Sequence, residues 1–451
     1  MTELSGSECE HELIVRLSQL AICDPLTGLH NRGTLKELFA RILEQATTDG
    51  QTVGILYIDL DDFRAVNKLH GQAVGDVIIS RIANRLRAIS SDTDTIVRTG
   101  GDEFLLISPS DKPDCEFSAK AHHIVDTLRE PHVLENGKTI RVTACVGTAH
   151  FPIHGADHEE LIAAAELALH HAKKIGDEVT AFSPEMLNTE HRRLIFEHDV
   201  SLSLERGELS LAFQPQAEAS TSAISGFEAL ARWQHPDFGP VSPADFIPAA
   251  EASGAIGAIG AYVLREACHE ASSWKNGLRI AVNVSPVQIE RGDFVQVVRN
   301  ALIETGLAPE RLEIEVTESL FIQNLAYASK VLTGVKDLGV SVALDDFGTG
   351  YSSLGTLRAF PFDRIKIDRS FVFDMVRNSN AAAIVDSVLG LGRAMGLTVV
   401  AEGVETEEQL KLLRTLGCQQ IQGYLIGKPM PAGHYAAVTG KVSNHTSPVM
   451  V

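Results

Sequence analysis

The chain has 451 residues, 44% hydrophobic and 22% charged, a composition of soluble globular proteins that excludes a wholly disordered or collagen-like chain and predicts two or three domains. Lys and Arg number 39 against 59 Asp and Glu, a formal charge of −20 whose field repels polyphosphate, so a nucleic-acid polymer is not an expected partner. Six scattered cysteines without a C-x-x-C pair, no basic signal segment and no long apolar run free of charge predict a reduced, cytoplasmic protein with no membrane span.

Leu13, Ile14, Leu17, Leu20 and Ala21 fall at helical spacing and predict an amphipathic helix within residues 1–23, ahead of the turn signal Asp24-Pro25. It is too short for the several heptads of a coiled-coil stalk, so it reads as packed on its own domain. From 24 to 182 strands and helices alternate: a strand at 53–60, a helix near 71–89, two strands around Gly100-Gly101, a helix near 116–129, a strand at 140–149 and a helix at 158–174. This pattern predicts an α/β domain. His150, His154 and His158 recur every fourth residue, yet Pro152 and Gly155 break any helix that would align them, so they read as loop residues.

Residues 183–207 open on Ser183-Pro184, carry the charged run TEHRRLIFEHD at helical spacing and end on Gly207, which predicts a helical connector. Over 208–439 come eight short β-rich runs: 211–215, 226–233, 279–285, 312–318, 340–348, 364–369, 398–405 and 420–425. Each is separated from the next by enough residues for a helix, so a β/α barrel of the TIM type is expected. Residues 440–451 read as a polar tail. The expected fold class is α/β multidomain, a smaller α/β domain followed by the barrel.

At or near the C-terminal end of these runs stand Gln214, Glu228, Asn283, Glu315, Asp345 with Asp346, Lys366, Glu402 and Gln422. Barrel active sites lie at that rim, and so many polar residues in register are difficult to explain as helix caps. Carboxylates converging there repel one another unless cations neutralise them. Hard divalent ions, Mg²⁺ or Mn²⁺, suit oxygen ligands, and two of them clamp both oxygens of a phosphodiester displacement. Phosphodiester hydrolysis is the chemistry implied.

These residues carry a resemblance. Glu228-Ala229-Leu230 with Arg232, Asn283 in NVS, EVTE at 315–318, DDFGTGYSSL at 345–354, KID at 366–368, AEGVE at 401–405 and QG at 422–423 resemble, in order, the EAL domain of bacterial cyclic di-GMP phosphodiesterases. The resemblance implies Glu228, Asn283, Glu315 and Asp345 as ligands of one metal and Asp345, Asp346 and Glu402 as the surroundings of a second. It implies Lys366 and Glu402 as the residues acting on the nucleophilic water. Gln214, Leu230, Arg232 and Gln422 would contact substrate, and Glu318 would hold a loop containing Gly348 and Gly350.

Residues 24–182 resemble a GGDEF domain, the diguanylate cyclase fold, with Gly100, Gly101, Asp102, Glu103 and Phe104 intact. That resemblance implies Asp59 and Asp102 as a metal pair for GTP-Mg²⁺. Asn67 and Asp76 would read guanine, Gly100, Gly101 and Glu103 would form the nucleotide-side turn, and Lys173 would contact the triphosphate. The chain departs from the pattern at Lys68, Gln72 and His170. It also has Asp177 where a phosphate-binding arginine is usual, and Ser91-Asp92-Thr93-Asp94 where the inhibitory R-x-x-D motif lies. The expected function is hydrolysis of cyclic di-GMP to pGpG by the barrel, with the GGDEF domain binding GTP as a regulator and a homodimer as the assembly. A bifunctional synthase and hydrolase, and a non-enzymatic nucleotide receptor, are the alternatives.

Overall fold

Val53, Ile55 and Tyr57 alternate with Leu56, Ile58 and Leu60 along Thr52–Leu60, so this strand is apolar on both faces and must be covered on both. The computed structural model describes residues 22–111, 113–134, 137–348, 357 and 360–441. The helix expected within 1–23 and the tail expected over 440–451 fall almost wholly outside them. The described chain divides into two units between Arg192 and Arg193, within the helix Pro184–Asp199.

In the first unit Thr52–Leu60 is an inner strand of a six-stranded sheet. The order is His30–Asn31, Thr95–Gly100, Glu103–Ser110, Thr52–Leu60, Ala144–Phe151 and Val179–Ala181. Helices Leu35–Asp49 and His158–Ile175 pack Phe39, Leu161, Ala165 and Leu169 onto one face. Phe63–His70, Gln72–Ile89 and Pro113–Arg129 pack Phe63, Ile78, Ile82, Ile124 and Leu128 onto the other. The strand expected at 140–149 is two elements: Thr139–Ile140 pairs with His132–Val133 in a separate hairpin, and the sheet strand begins at Ala144. Just before it, the Thr143 carbonyl accepts the Asp61 N–H at 2.9 Å in the register of the pairing with Thr52–Leu60.

In the second unit eight strands close into a barrel: β1 Leu209–Glu218, β2 Ile224–His235, β3 Arg279–Asn283, β4 Leu312–Thr317, β5 Ser341–Phe347, β6 Arg364–Ile367, β7 Thr398–Ala401 and β8 Gln420–Gln422. Strands β2 to β8 run parallel, and β1 is antiparallel to both β2 and β8. The sequence reading of a β/α unit at every strand fails between β1 and β2. The strands run longer than the apolar runs that marked them, and residues 219–223 are too few for a crossover helix, which leaves a hairpin.

Outward-facing residues of the barrel are aliphatic and meet the helices: Ile280, Val282, Ile314, Val316, Val342, Leu344, Ile365, Ile367, Val399 and Ile421 belong to one buried cluster. The alternate, inward positions hold mostly charges, amides and alanines. Arg364 and Glu313 are a buried ion pair, and Gln420 donates to Glu218 at 2.8 Å. Most barrels of this type fill the lumen with branched aliphatics; here it is a hydrogen-bonded polar column leading to the C-terminal mouth.

Gly147 of the first unit marks a close approach of helix to sheet. A Cβ there would lie 2.1 Å from the Ala165 carbonyl oxygen and 2.2 Å from the Leu169 nitrogen. Backbone cannot yield as a side chain does, so Gly147→Ala is expected to destabilise this unit by about 1–3 kcal/mol. Urea unfolding followed by far-UV circular dichroism reads the effect, and an unchanged midpoint would contradict the packing.

Candidate active site

Strand alternation sends Glu228, Glu315 and Lys366 into the barrel mouth from β2, β4 and β6, and the Lys366 side chain is only 1% exposed. Its Nζ lies 2.7 Å from Glu402 Oε1, 2.8 Å from Glu315 Oε2, 3.1 Å from Asp345 Oδ2 and 3.9 Å from Glu228 Oε1. Burial alone would lower the ammonium pKa, but Asp345, Glu228, Glu315 and Glu402 outweigh it and hold the group well above its ordinary value.

Asp345 and Asp346 reach the same mouth although they are neighbours on β5. In a regular strand they would point to opposite faces. The β5–β6 ladder is in register at Leu344–Ile365 and again at Phe347–Ile367, so two residues of β5 oppose Lys366 alone. This is a bulge, with Asp346 in the left-handed region at φ 53°. Ligand oxygens of Asp345, Asp346 and Glu402 consequently all lie within 4.8 Å of one another.

One ammonium does not balance these carboxylates. Burial pushes Glu402 up to about 8, with Lys366 opposing and Asp345 and Glu228 adding to the rise. Burial, then the charges of Asp345 and Asp368, push Asp346 up to about 6, and burial drives Glu315 well above the usual range. Glu315 Oε1 is buried with no hydrogen-bond partner. An orphaned carboxylate oxygen beside a tight acidic cluster fits a hard cation, because an oxygen-rich site with excess negative charge is what such ions take. Asp345, Asp346 and Glu402 form the cluster that could hold it.

Amides dress the opposite side. Glu228 accepts from Asn283 Nδ2 and from Gln422 Nε2, Gln422 also donates to Gln214 Oε1 at 3.1 Å, and Gln216 donates to Gln422 Oε1 at 3.0 Å. Gln214 sits on the antiparallel strand β1 and arrives here because its register partner is Glu228. Leu230 and Arg232 follow Glu228 at every second position of β2, so they share its face and rise above the mouth. Glu318 Oε1 accepts the Gly348 N–H at 3.3 Å. Gly348 has φ 101°, and a Cβ would meet the Phe371 ring at 2.9 Å, so glycine is required there. Gly350 and the neighbouring loop 349–356 lie outside the described residues.

In the first unit the Gly100-Gly101 turn joins Thr95–Gly100 to Glu103–Ser110 and places Asp102 and Glu103 beside Asp59. Burial raises the Asp59 carboxyl, Lys173 opposes, and Asp102 and Glu103 add to the rise. Lys173 Nζ is 2.5 Å from Asp59 Oδ1, so the lysine expected at a triphosphate is engaged by the carboxylate expected at a metal. Asn67 packs on Gly75, one residue from Asp76, with its Oδ1 buried and unbonded. Asp177 follows the helix end at Gly176, exposed, and accepts the Glu178 N–H at 2.8 Å. Asp94, at the position of the inhibitory motif, is gripped by Lys120 through both oxygens at 2.9 Å. The His150 and His154 rings meet at a tilt of 57° with centroids 4.1 Å apart, while His158 stands apart against Phe39.

The EAL domain family matches residues 197–429, and the family described as diguanylate cyclase, GGDEF domain, matches 21–178. The chain belongs to the GGDEF–EAL family. It is 39% identical over 421 residues to the bifunctional diguanylate cyclase/cyclic di-GMP phosphodiesterase MucR of Pseudomonas aeruginosa, covering 92% of this chain and 61% of that protein. With the cyclic di-GMP phosphodiesterase NbdA of the same organism identity is 37% over 420 residues, covering 92% of this chain and 53% of the other. The chain thus spans little more than half the length of these relatives. The EAL domain superposes on the PaMucR phosphodiesterase in its cyclic di-GMP complex with a TM-score of 0.51 at 43% identity, covering 53% of this chain and 98% of that one.

Sequence reading missed the residues below the mouth of the EAL domain: Gln216, Glu313 and Arg364. The signal was available, since each lies two residues from a predicted site residue and strand alternation keeps such positions on one face. For the acidic cluster, Asp346→Asn keeps a side chain tolerant of positive φ and removes one charge. It is expected to weaken Mn²⁺ binding at least about tenfold by calorimetry; unchanged affinity would remove Asp346 from the cation site.

Proposed function

We propose that the EAL domain hydrolyses cyclic di-GMP to linear pGpG with Mg²⁺ or Mn²⁺, and that the GGDEF domain binds GTP as a regulatory module. The observation that carries the first part is the buried Lys366 ammonium set against the Asp345, Asp346 and Glu402 cluster, with every position expected to hold cations occupied by an oxygen-bearing side chain. A receptor that only binds nucleotide has no need of a buried charge of this kind at its mouth.

Bound divalent cations supply charge neutralisation and Lewis acidity for displacement at phosphorus. The chain's own groups do the rest. Lys366 has three Nζ protons and three close carboxylates, and an Nζ proton that no carboxylate engages would orient the attacking water. Glu402, 2.7 Å from Lys366 Nζ at the mouth, is placed to accept a proton from that water when ionised. Water oxygen bonds to phosphorus, the bond to the ribose 3′ oxygen breaks, and that oxygen leaves as a hydroxyl after gaining a proton. Arg232 faces a phosphate oxygen, Gln214 and Gln422 offer amide groups to a guanine edge, and Leu230 supplies apolar contact. Glu318 fixes the start of the loop through Gly348.

For the GGDEF domain, Asp59, Asp102 and Glu103 form the cation end, Asn67 and Asp76 the guanine end, and Lys173 the phosphate contact. The intact Gly100-Gly101 turn, and a relative named for both activities, favour a second reading in which this domain also synthesises cyclic di-GMP. Asp177 weighs against it by placing a carboxylate where phosphate binding favours a cation. With Ser91 in place of arginine and Asp94 held by Lys120, product feedback at that site is not expected.

Glu228→Ala is expected to lower kcat about a thousandfold or more while the variant stays folded, read by chromatography of pGpG. Full turnover by that folded variant would overturn the assignment. Ca²⁺ is expected to inhibit, because it takes more ligands at longer distances than Mg²⁺; equal rates in the two ions would contradict it. GTP is expected to raise hydrolysis, with a coupling of about 1–3 kcal/mol, and Asn67→Ala to abolish the effect at subsaturating GTP. Rates identical with and without GTP in the wild type would reject the coupling.

A further inference from the structure

The GGDEF site carries a cation of its own, the Lys173 ammonium. Asp59 and Glu103 stand directly opposite each other on neighbouring antiparallel strands, so their side chains share a face, and Asp102 adjoins them on the Gly100-Gly101 turn. Each of the first two already has a donor. Tyr57 OH donates to Glu103 Oε2 at 3.1 Å, and Lys173 Nζ lies 2.5 Å from Asp59 Oδ1. Burial raises the Asp59 carboxyl, Lys173 opposes it, and Asp102 and Glu103 add to the rise, so one ammonium answers three carboxylates.

The lysine is placed to change partners. It sits in the last turn of the helix His158–Ile175, where the dipole favours a positive charge, and its side chain is 37% exposed against 17% for Asp59. Its flexible stem can swing toward solvent, while the carboxylate it covers is fixed on a strand inside the sheet. Two cations cannot share Asp59 cheaply. A divalent ion taking this carboxylate meets a like charge at contact distance unless Lys173 leaves, and Lys173 gives up its ion pair on leaving. A triphosphate supplies a replacement anion, so nucleotide and cation each ease the other's entry.

We infer that Lys173 is a tethered counter-ion: it holds Asp59 against divalent cations while the domain is free of nucleotide, and releases it when phosphate oxygens take the ammonium. The inference rests on the GTP reading for the release alone. It assigns one residue opposite effects on two ligands. Without Lys173 the cation is bound more tightly and the nucleotide more weakly, whereas a lesion in packing weakens both.

The test is calorimetry on the full, nucleotide-free chain titrated with Mn²⁺, for wild type, Lys173→Met, Lys174→Met and the double variant Asp59→Asn/Lys173→Met. The double variant separates the two domains, since it keeps only the Mn²⁺ binding of the EAL domain. Lys173→Met is expected to bind Mn²⁺ at the Asp59-dependent site at least about fivefold more tightly than wild type. Lys174 is the exposed neighbour with the same charge, and Lys174→Met is expected to stay within about twofold of wild type. In a second titration, with EDTA in place of the cation, Lys173→Met is expected to bind GTP at least about fivefold more weakly. A wild-type Mn²⁺ isotherm in Lys173→Met, or an equal gain in Lys174→Met, overturns the inference. So does weaker binding of both ligands, or a GTP affinity that the substitution leaves unchanged. Failure of the wild type to bind GTP in EDTA overturns the release by phosphate. Failure with Mg²⁺ as well defeats the GTP reading itself, and the Mn²⁺ titrations then decide whether Lys173 holds Asp59 against cations.

Discussion

Lys366 puts a full positive charge at 1% exposure inside a barrel, and losing its water is tolerable only because Glu402, Glu315 and Asp345 stand 2.7–3.1 Å away. The dependence is mutual. Without the ammonium those carboxylates would confront one another in a low-dielectric lumen, and with it they still carry excess negative charge. The site thus carries more carboxylates than one ammonium balances, and the proposed chemistry uses that deficit. The outward aliphatic faces of the strands, packed on the helices, supply the stability that lets the lumen hold charged residues.

The same site depends on one irregularity of backbone. A regular β5 would send Asp346 into the helix layer, where a carboxylate would be costly and useless to the mouth. The bulge at Asp345-Asp346, with Asp346 at φ 53°, turns both carboxylates inward and ends the strand at Phe347, from which Gly348 begins the loop held by Glu318. Backbone strain, the geometry of the acidic cluster and loop anchoring are therefore one local feature spanning a few residues.

In the GGDEF domain the resident lysines answer carboxylates in the opposite manner. Lys173 closes on Asp59 and Lys120 on Asp94, so neither carboxylate is left uncompensated. Asp94 is pulled below the usual range because hydrogen bonds from Lys120, Ser108 and Ser91 outweigh its burial. A nucleotide with its cation would exchange partners at Asp59 and Lys173 without facing a bare anionic site, an arrangement that suits reversible binding. The barrel mouth, with its surplus of carboxylates, suits firmly held cations.

Much of this was legible in the sequence. The aliphatic alternation of LEIEV and RIKI, the order of EAL, NVS, EVTE, DDFG, KID and AEGVE, and the Gly-Gly turn identify two α/β domains and the side chains that meet at the barrel mouth, because strand periodicity alone assigns residues to faces. Three features needed the tertiary structure. The antiparallel β1 follows from how far β1 and β2 extend toward the hairpin at 219–223, and the runs of apolar residues mark strand centres without marking strand ends. The convergence of Asp345 with Asp346 contradicts the period of two and exists only because β6 supplies one residue against two. The Glu313–Arg364 and Lys173–Asp59 pairs join residues distant in sequence. Local pattern determines which face a side chain occupies, while its partner across a lumen or a sheet is decided by the register and closure of the whole sheet.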